Sequence, residues 1–425
     1  MQYLAKEAMD QVTQQDVSVA QTLAGLSDSE LLDLDRLELT DSPALLEDVA
    51  QRAPVVRLVH AILLEAYRKR ASDIHLEPTK QGVSLRYRID GILYDQQAPP
   101  KALFPALISR IKILSGLNIA EKRLPQDGRI RFPLGETELD IRVATVPSIC
   151  GESVSLRLLD TSNQVRSLAE LGLSSYDLHR LHQVFSYTHG LVLVTGPTGG
   201  GKTTTLYAML EALRSAERKI LTLEDPVECE MAGVTQIQVR PKIGLTFANG
   251  LRSMLRHDPD VILVGEIRDK ETAEMAIHAS LTGHLVLSSL HTNNAPGAIT
   301  RLLDMGIEPF LVTSSLRAVL AQRLVRKLCP DCQEESVADS SSSCVTCDGL
   351  GYRGRTAVCE LMVCDSTMES AILNGQNAEQ VRICAMKQGM RTMFEDGMAK
   401  VSQASTSMAE LQRVLGEDGK GGVAY

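Results

Sequence analysis

The sequence predicts an α/β protein: a mainly parallel sheet covered by helices, preceded by a smaller α+β domain. Three observations carry this expectation. From about residue 176, short apolar runs (LVLVT, ILTL, VILV and LVLSS) alternate with helix-length stretches, the pattern of a parallel sheet buried on both faces. The first of these runs leads directly into GPTGGGKTTTL, residues 196–206, a glycine-rich loop between a strand and a helix. Before residue 160 the pattern differs. There, apolar residues alternate singly with polar ones, as in half-buried antiparallel strands.

Composition sets the outer limits. A chain of 425 residues has length for two to four domains with ample cores. At 44% hydrophobic and 23% charged it reads as ordinary globular protein. A formal charge of −9, no tryptophan and 4% aromatics count against a chain devoted to gripping nucleic-acid backbones or stacking bases. The start, MQYLAKEAMD, lacks the basic and apolar regions of a signal peptide. No apolar run approaches the roughly 18 residues of a membrane-crossing helix. The expectation is a cytosolic chain, associated with a membrane only peripherally, whose nine cysteines do not build a disulfide framework.

Taken in order, residues 1–50 are a short, acidic, leucine-bearing N-terminal segment. Residues 51–160 form the α+β domain. Its first helix begins at Pro54 and puts Val55, Val56, Val59, Ile62, Leu63 and Ala66 on one face. In VSLRYRIDG the alternation of Val83, Leu85, Tyr87 and Ile89 predicts a strand, and Asp90-Gly91 a hairpin turn. A helix carrying Leu107, Ile108, Ile111 and Leu114 follows. Two more strands then face Leu139, Ile141 and Val143, and Val154, Leu156 and Leu158, inward, with Arg142 and Arg157 outward. Residues 161–175 read as a linker and 176–328 as the phosphate-binding core. Residues 329–347 are a four-cysteine element, and 348–425 are C-terminal helices and a tail.

The loop fits G-x-x-x-x-G-K-[ST] in strand–loop–helix context. Gly196, Pro197, Thr198, Gly199, Gly200 and Gly201 would curl the backbone so that its N–H groups meet phosphate oxygens, with the helix N-terminus adding positive character. Lys202 would reach the β- and γ-phosphates of ATP, and the Thr203 hydroxyl would bind Mg²⁺, with Thr204 beside it. ILTL ends in Glu224-Asp225, and VILVGEIRD ends its apolar run at Gly265-Glu266. Ligands of such sheets sit at strand carboxyl ends. These acids are therefore candidates for orienting water or reaching Mg²⁺, against the plainer role of caps and solvated turns. His284 and His291 flank the run LVLSSL; each alone is more often structural than catalytic.

Cys329, Cys332, Cys344 and Cys347 form C-x₂-C-x₁₁-C-x₂-C. Two such pairs on a short loop can close a tetrahedral thiolate site around Zn²⁺, with no open position and hence a structural role. Redox-active pairs or unligated thiols are the alternatives.

The run GPTGGGKTTTL, LEDPVE, LRHDPDVILVGEIRD, TGHLVLSSLHTNNA resembles, in order and spacing, the Walker A, Asp box, Walker B and His box of secretion ATPases. ASDIHLEP, AEKRLPQDGRIRF and LAQRLVRKLCPDC extend the likeness over roughly residues 42–400. It is most similar to the assembly ATPases of type II secretion systems and type IV pili (GspE/PilB-like). The resemblance implies a RecA-like P-loop domain preceded by a PAS-like α+β domain. It implies a homohexamer on the cytosolic face of the inner membrane, working on a membrane platform protein and a membrane-anchored docking protein, with no nucleic acid. It implies that Glu266 takes the Walker B role, that Glu224 shares catalysis, that His284 and His291 are γ-phosphate or relay residues, and that Arg142 and Arg157 reach phosphates. The zinc element is similar to that of assembly ATPases. Two positions depart from the pattern: Gly200 stands where serine is usual, and Ser153 where arginine is common.

Overall fold

A computed structural model describes residues 18–25, 43–134, 137–159, 165–334 and 344–416. The chain divides into two compact units, residues 1–162 and 163–425. Among the described residues, no helix is long and apolar enough to cross a membrane.

In the first unit the strands are β1 (Ala71–Pro78), β2 (Val83–Ile89), β3 (Ile92–Asp95), β4 (Gln126–Leu134), β5 (Thr137–Ser148) and β6 (Gly151–Leu159). They form one antiparallel sheet in the order β3-β2-β1-β6-β5-β4. The expected turn is present. Asp90 and Gly91 both have positive φ, 48° and 89°, and Ile89 pairs with Ile92 across a two-residue hairpin, the geometry that asparagine, aspartate and glycine tolerate best. The helix Ala53–Arg68 buries Val55, Leu58, Val59, Ile62 and Leu63, and the buried Tyr87 hydroxyl donates to the Ile62 carbonyl at 3.1 Å. The other face of the sheet is polar. Register aligns Asp73 with Arg157, Arg157 with Arg142, and Arg142 with Arg129 in one row across four strands.

The second unit holds β7 (Gly190–Thr195), β8 (Ile220–Glu224), β9 (Val234–Gln238), β10 (Val261–Val264), β11 (Leu285–Leu290), β12 (Leu316–Leu328) and β13 (Tyr352–Val363). Their order is β13-β12-β7-β11-β10-β8-β9, with β13 the one antiparallel neighbour. The central strands pack on both faces. Leu191 and Leu193 join one apolar cluster while Val192 and Val194 join the other, which is why these strands read as unbroken apolar runs.

Three segments differ from the expectation. Leu168–Leu171, within the span read as linker, is a 3₁₀ helix whose Leu168 and Leu171 are buried in the second unit's core. The segment read as C-terminal helices begins instead with β13 and turns helical only from Ser366. Its strand was hidden because β13 buries Ala357 to Met362 consecutively, leaving no period of two to detect. The thirteen-residue β12 was likewise not anticipated, because it carries Arg317, Gln322, Arg323, Arg326 and Lys327 inside an otherwise apolar run.

Candidate functional site

The phosphate loop lies at the carboxyl end of β7, and its helix, Lys202–Leu213, starts from Gly201 in the left-handed region (φ 83°). Gly196 is a position only glycine can fill. Its φ is 151°, and a Cβ there would stand 2.3 Å from the Gln322 carbonyl oxygen of β12. Thr203 and Thr204 are exposed in the helix's first turn, the place where a hydroxyl can meet a cation bound beside phosphates. The Lys202 ammonium donates to the carbonyls of Gly196 and Pro197, both at 2.9 Å. Burial pulls its pKa below the ordinary lysine value, and the Glu266 carboxylate opposes that shift.

Glu266 follows β10 and is mostly buried. Arg268 holds one of its oxygens at 2.6 Å and His291 Nε2 stands 3.6 Å from the other. The His291 pKa is lowered, first by burial and then by the Lys202 charge, which favours the neutral imidazole, able to accept as well as donate. Lys202, Glu266, Arg268 and His291 thus share one electrostatic neighbourhood. Gly265 is explained by packing. Its N–H donates to the Leu223 carbonyl at 2.8 Å, and a Cβ would lie 3.3 Å from that oxygen and 3.5 Å from the Glu224 Cα. The backbone approaches β8 so closely that Glu266, one residue on, carries the first available acid.

Two expected residues are placed elsewhere. The Glu224 carboxylate is buried, not turned to a ligand. It accepts from the hydroxyls of Tyr207 and Thr222 and from the Gln236 amide at 3.2 Å. These donors are the reason a carboxylate at 3% exposure is tolerated. Its neighbour Asp225 is exposed. His284 precedes β11, and Leu285 pairs with Gly190 while Leu290 pairs with Thr195. His284 is therefore at the end of the sheet opposite the phosphate loop, about 20 Å away at the strand rise. Its Nδ1 lies 2.9 Å from the Ala279 carbonyl, which closes the turn after the helix Lys270–Leu281. Within the chain it does not reach the loop.

Sequence reasoning missed Gln322 and Thr195. Gln322 is buried on β12, donates from Nε2 to the Gly200 carbonyl at 2.6 Å, and accepts at Oε1 from the Thr205 hydroxyl at 2.8 Å. The Thr195 hydroxyl accepts from the Thr292 N–H at 2.9 Å, tying the ends of β7 and β11 beside the loop. The signal for Gln322 was an amide inside the apolar run LRAVLAQRLV, which demands buried partners.

In the first unit, Arg157 Nε donates to Asp73 Oδ1 at 2.9 Å, and Arg88 stands 3.8 Å from the other oxygen. Arg142 is the cross-strand neighbour of Arg157. Two adjacent guanidinium groups disfavour each other, and Asp73 offsets this at Arg157.

At the tip of the β12–β13 hairpin, the sulfurs of Cys329, Cys332, Cys344 and Cys347 all lie within 4.8 Å of one another. The Cys329–Cys344 and Cys332–Cys347 separations are 3.9 and 3.5 Å. A tetrahedral thiolate site with metal–sulfur bonds of about 2.3 Å has sulfurs about 3.8 Å apart, so the four side chains fit a metal. The Gly351 N–H donates to Cys347 Sγ at 3.2 Å, a contact that favours thiolate.

Comparison with known proteins agrees with this architecture. The family model described as Type II/IV secretion system protein matches residues 48–413. The chain is 50% identical over 402 residues to type II secretion system protein HxcR of Pseudomonas aeruginosa, covering 94% of this chain and 85% of the relative. It is 46% identical over 432 residues to type II secretion system ATPase E of Vibrio cholerae, covering 96% and 85%. Among solved structures it is similar to the Legionella pneumophila ATPase DotB, with a TM-score of 0.66, 24% identity, and coverage of 83% of this chain and 94% of that one. It is also similar to the ADP-bound pilus retraction motor PilT, with a TM-score of 0.53, 27% identity, and coverage of 83% and 98%. With a family match across both units and relatives near half identical over most of their length, the chain belongs to the Type II/IV secretion system protein family.

Proposed function

We propose that this chain is a type II secretion system ATPase, hydrolysing ATP with Mg²⁺ to drive protein secretion. The observation that carries the reading is the phosphate loop with Lys202 in the same electrostatic neighbourhood as Glu266 and His291, in a chain whose relatives include a type II secretion system ATPase E. In this reading the second unit is the RecA-like motor and the first a PAS-like domain that supplies arginines.

The chemistry follows from the residues. Loop N–H groups and the Lys202 ammonium hold and neutralise the β- and γ-phosphates. The Thr203 hydroxyl would be the protein ligand of Mg²⁺, which would supply positive charge beside the phosphates. Glu266, fixed by Arg268, orients the attacking water and takes its proton. Neutral His291 donates to the γ-phosphate side, and Asp225 extends the acidic rim. Arg142 and Arg157 stabilise charge on the transferring phosphoryl group, and a homohexamer brings them to the nucleotide. Zn²⁺ in the four-cysteine site is structural. The motor works on the cytosolic face of the inner membrane, where it assembles a pseudopilus through a platform protein.

The test is ATP turnover per subunit measured against protein concentration, with Lys202→Ala alongside and with DNA added. Turnover that rises with concentration, vanishes in the variant and ignores DNA is the expected result. Absence of turnover, or turnover switched on by DNA, would overturn the assignment.

A further inference from the structure

We infer that Gln322 of β12 is a positioning residue of the nucleotide site, holding the phosphate loop in its phosphate-accepting form. This rests on the nucleotide-site reading above and adds a residue from a strand outside the strand–loop–helix motif.

The loop works only if its N–H groups face the phosphates, so its carbonyls must point elsewhere and still be satisfied. Lys202 occupies those of Gly196 and Pro197. The Gly200 carbonyl is held by the Gln322 side-chain amide at 2.6 Å. A trans peptide is planar with its C=O and N–H opposed. Fixing the Gly200 carbonyl toward β12 therefore points the Gly201 N–H the opposite way, at the mouth of the loop.

The amide itself has no freedom. The Gly200 oxygen can only accept, so Nε2 faces it, and Oε1 takes the Thr205 hydroxyl at 2.8 Å from the second turn of the loop's own helix. The backbone carbonyl of Gln322 also sets the wall against Gly196, where a Cβ would meet it at 2.3 Å. One residue of β12 thus bears on the first glycine, the Gly200–Gly201 peptide, and the helix. A purely space-filling role would not require both ends of a buried amide to be paired across two elements.

The experiment uses the full chain with a fluorescent ADP and Mg²⁺. It compares wild type, Lys202→Ala, Gln322→Glu and Thr205→Val, each also melted without nucleotide. An ionised carboxyl in place of the amide sets oxygen against the Gly200 carbonyl. A protonated one can donate to Gly200 and accept from Thr205 as the amide does. Gln322→Glu is expected to bind at least about tenfold more weakly than wild type at pH 8. The deficit should narrow as pH falls toward 5.5, when each variant value is divided by the wild-type value at the same pH.

A ratio within twofold of one at pH 8, or a deficit that does not change with pH, would overturn the inference. If Gln322→Glu shows no cooperative melting, Thr205→Val decides. That variant keeps shape while removing the donor to Oε1, and an affinity equal to wild type overturns the proposal while a loss of threefold or more supports it. If wild type fails to bind, or Lys202→Ala binds equally well, the nucleotide-site reading itself falls and this inference with it.

Discussion

At the scale of single residues, Gly265 shows how packing dictates chemistry. Its close approach to the Leu223 carbonyl and the Glu224 backbone leaves 3.3 Å for a Cβ, tight against backbone that cannot swing aside. Gly265→Ala is expected to destabilise the second unit by about 1–3 kcal/mol and to displace Glu266, lowering ATP turnover more than nucleotide affinity. Thermal melting and a KM-against-kcat comparison would check it, and unchanged turnover would sink the argument.

Residue identities here were partly legible. The phosphate loop announces itself because eight positions in sequence make one local structure. Where Glu224 and His284 stand was not legible, because partners and register distant in sequence set it. Tyr207, which donates to Glu224, lies seventeen residues before it, and the distance from His284 to the loop depends on a strand register that no motif states.

Elements were legible to the extent that their burial was simple. β7, β8, β10 and β11 are short and buried at every position, and the Asp90-Gly91 turn fixes its own conformation. β12 and β13 were not, since one carries buried polar groups and the other lacks alternation. Buried Arg323 on β12 donates to the Val414 carbonyl at 2.6 Å, and Arg326 pairs with buried Glu410 at 2.8 Å while stacking on Tyr352 at 4.0 Å. These partners come from the helix Met408–Leu415 and from β13, far along the chain.

The hairpin that β12 and β13 form is closed by the four cysteines. With Zn²⁺ bound there, stripping the metal with a chelator, or Cys329→Ser, should release about one zinc per chain. It should also lower the melting temperature by several degrees, with the second unit losing protection at β12 and β13 first. Metal analysis with hydrogen exchange would check this. A chain that purifies metal-free and melts unchanged would remove zinc from the account.

For the whole molecule, the division at residue 162 separates two kinds of sheet. The first is antiparallel and solvated on one face; the second is mainly parallel and buried on both. Each carries part of the proposed machinery, the loop in one and Arg142 and Arg157 in the other. Arg157→Ala should leave the ADP affinity of the phosphate loop within about twofold of wild type while cutting turnover at least tenfold, as expected of a group that acts on developing charge. Asp73 keeps Arg88 within 3.8 Å in that variant, so the sheet should melt within a few degrees of wild type. Full turnover in the variant would make Arg157 a surface ion-pair residue and nothing more.

The length of β12 has a consequence for how such a chain can change. Successive side chains of a strand point to opposite faces, so inserting or deleting one residue ahead of Gln322 would reverse every position after it. Under the phosphate loop the amide would be exchanged for the guanidinium of Arg323 after a deletion, or for the methyl group of Ala321 after an insertion. Neither repeats the paired donor and acceptor that Gly200 and Thr205 meet now. Substitutions can accumulate along this strand one at a time, but its residue count is a fixed spelling between Ser315 and Cys329, tolerant of altered letters and intolerant of a shifted frame.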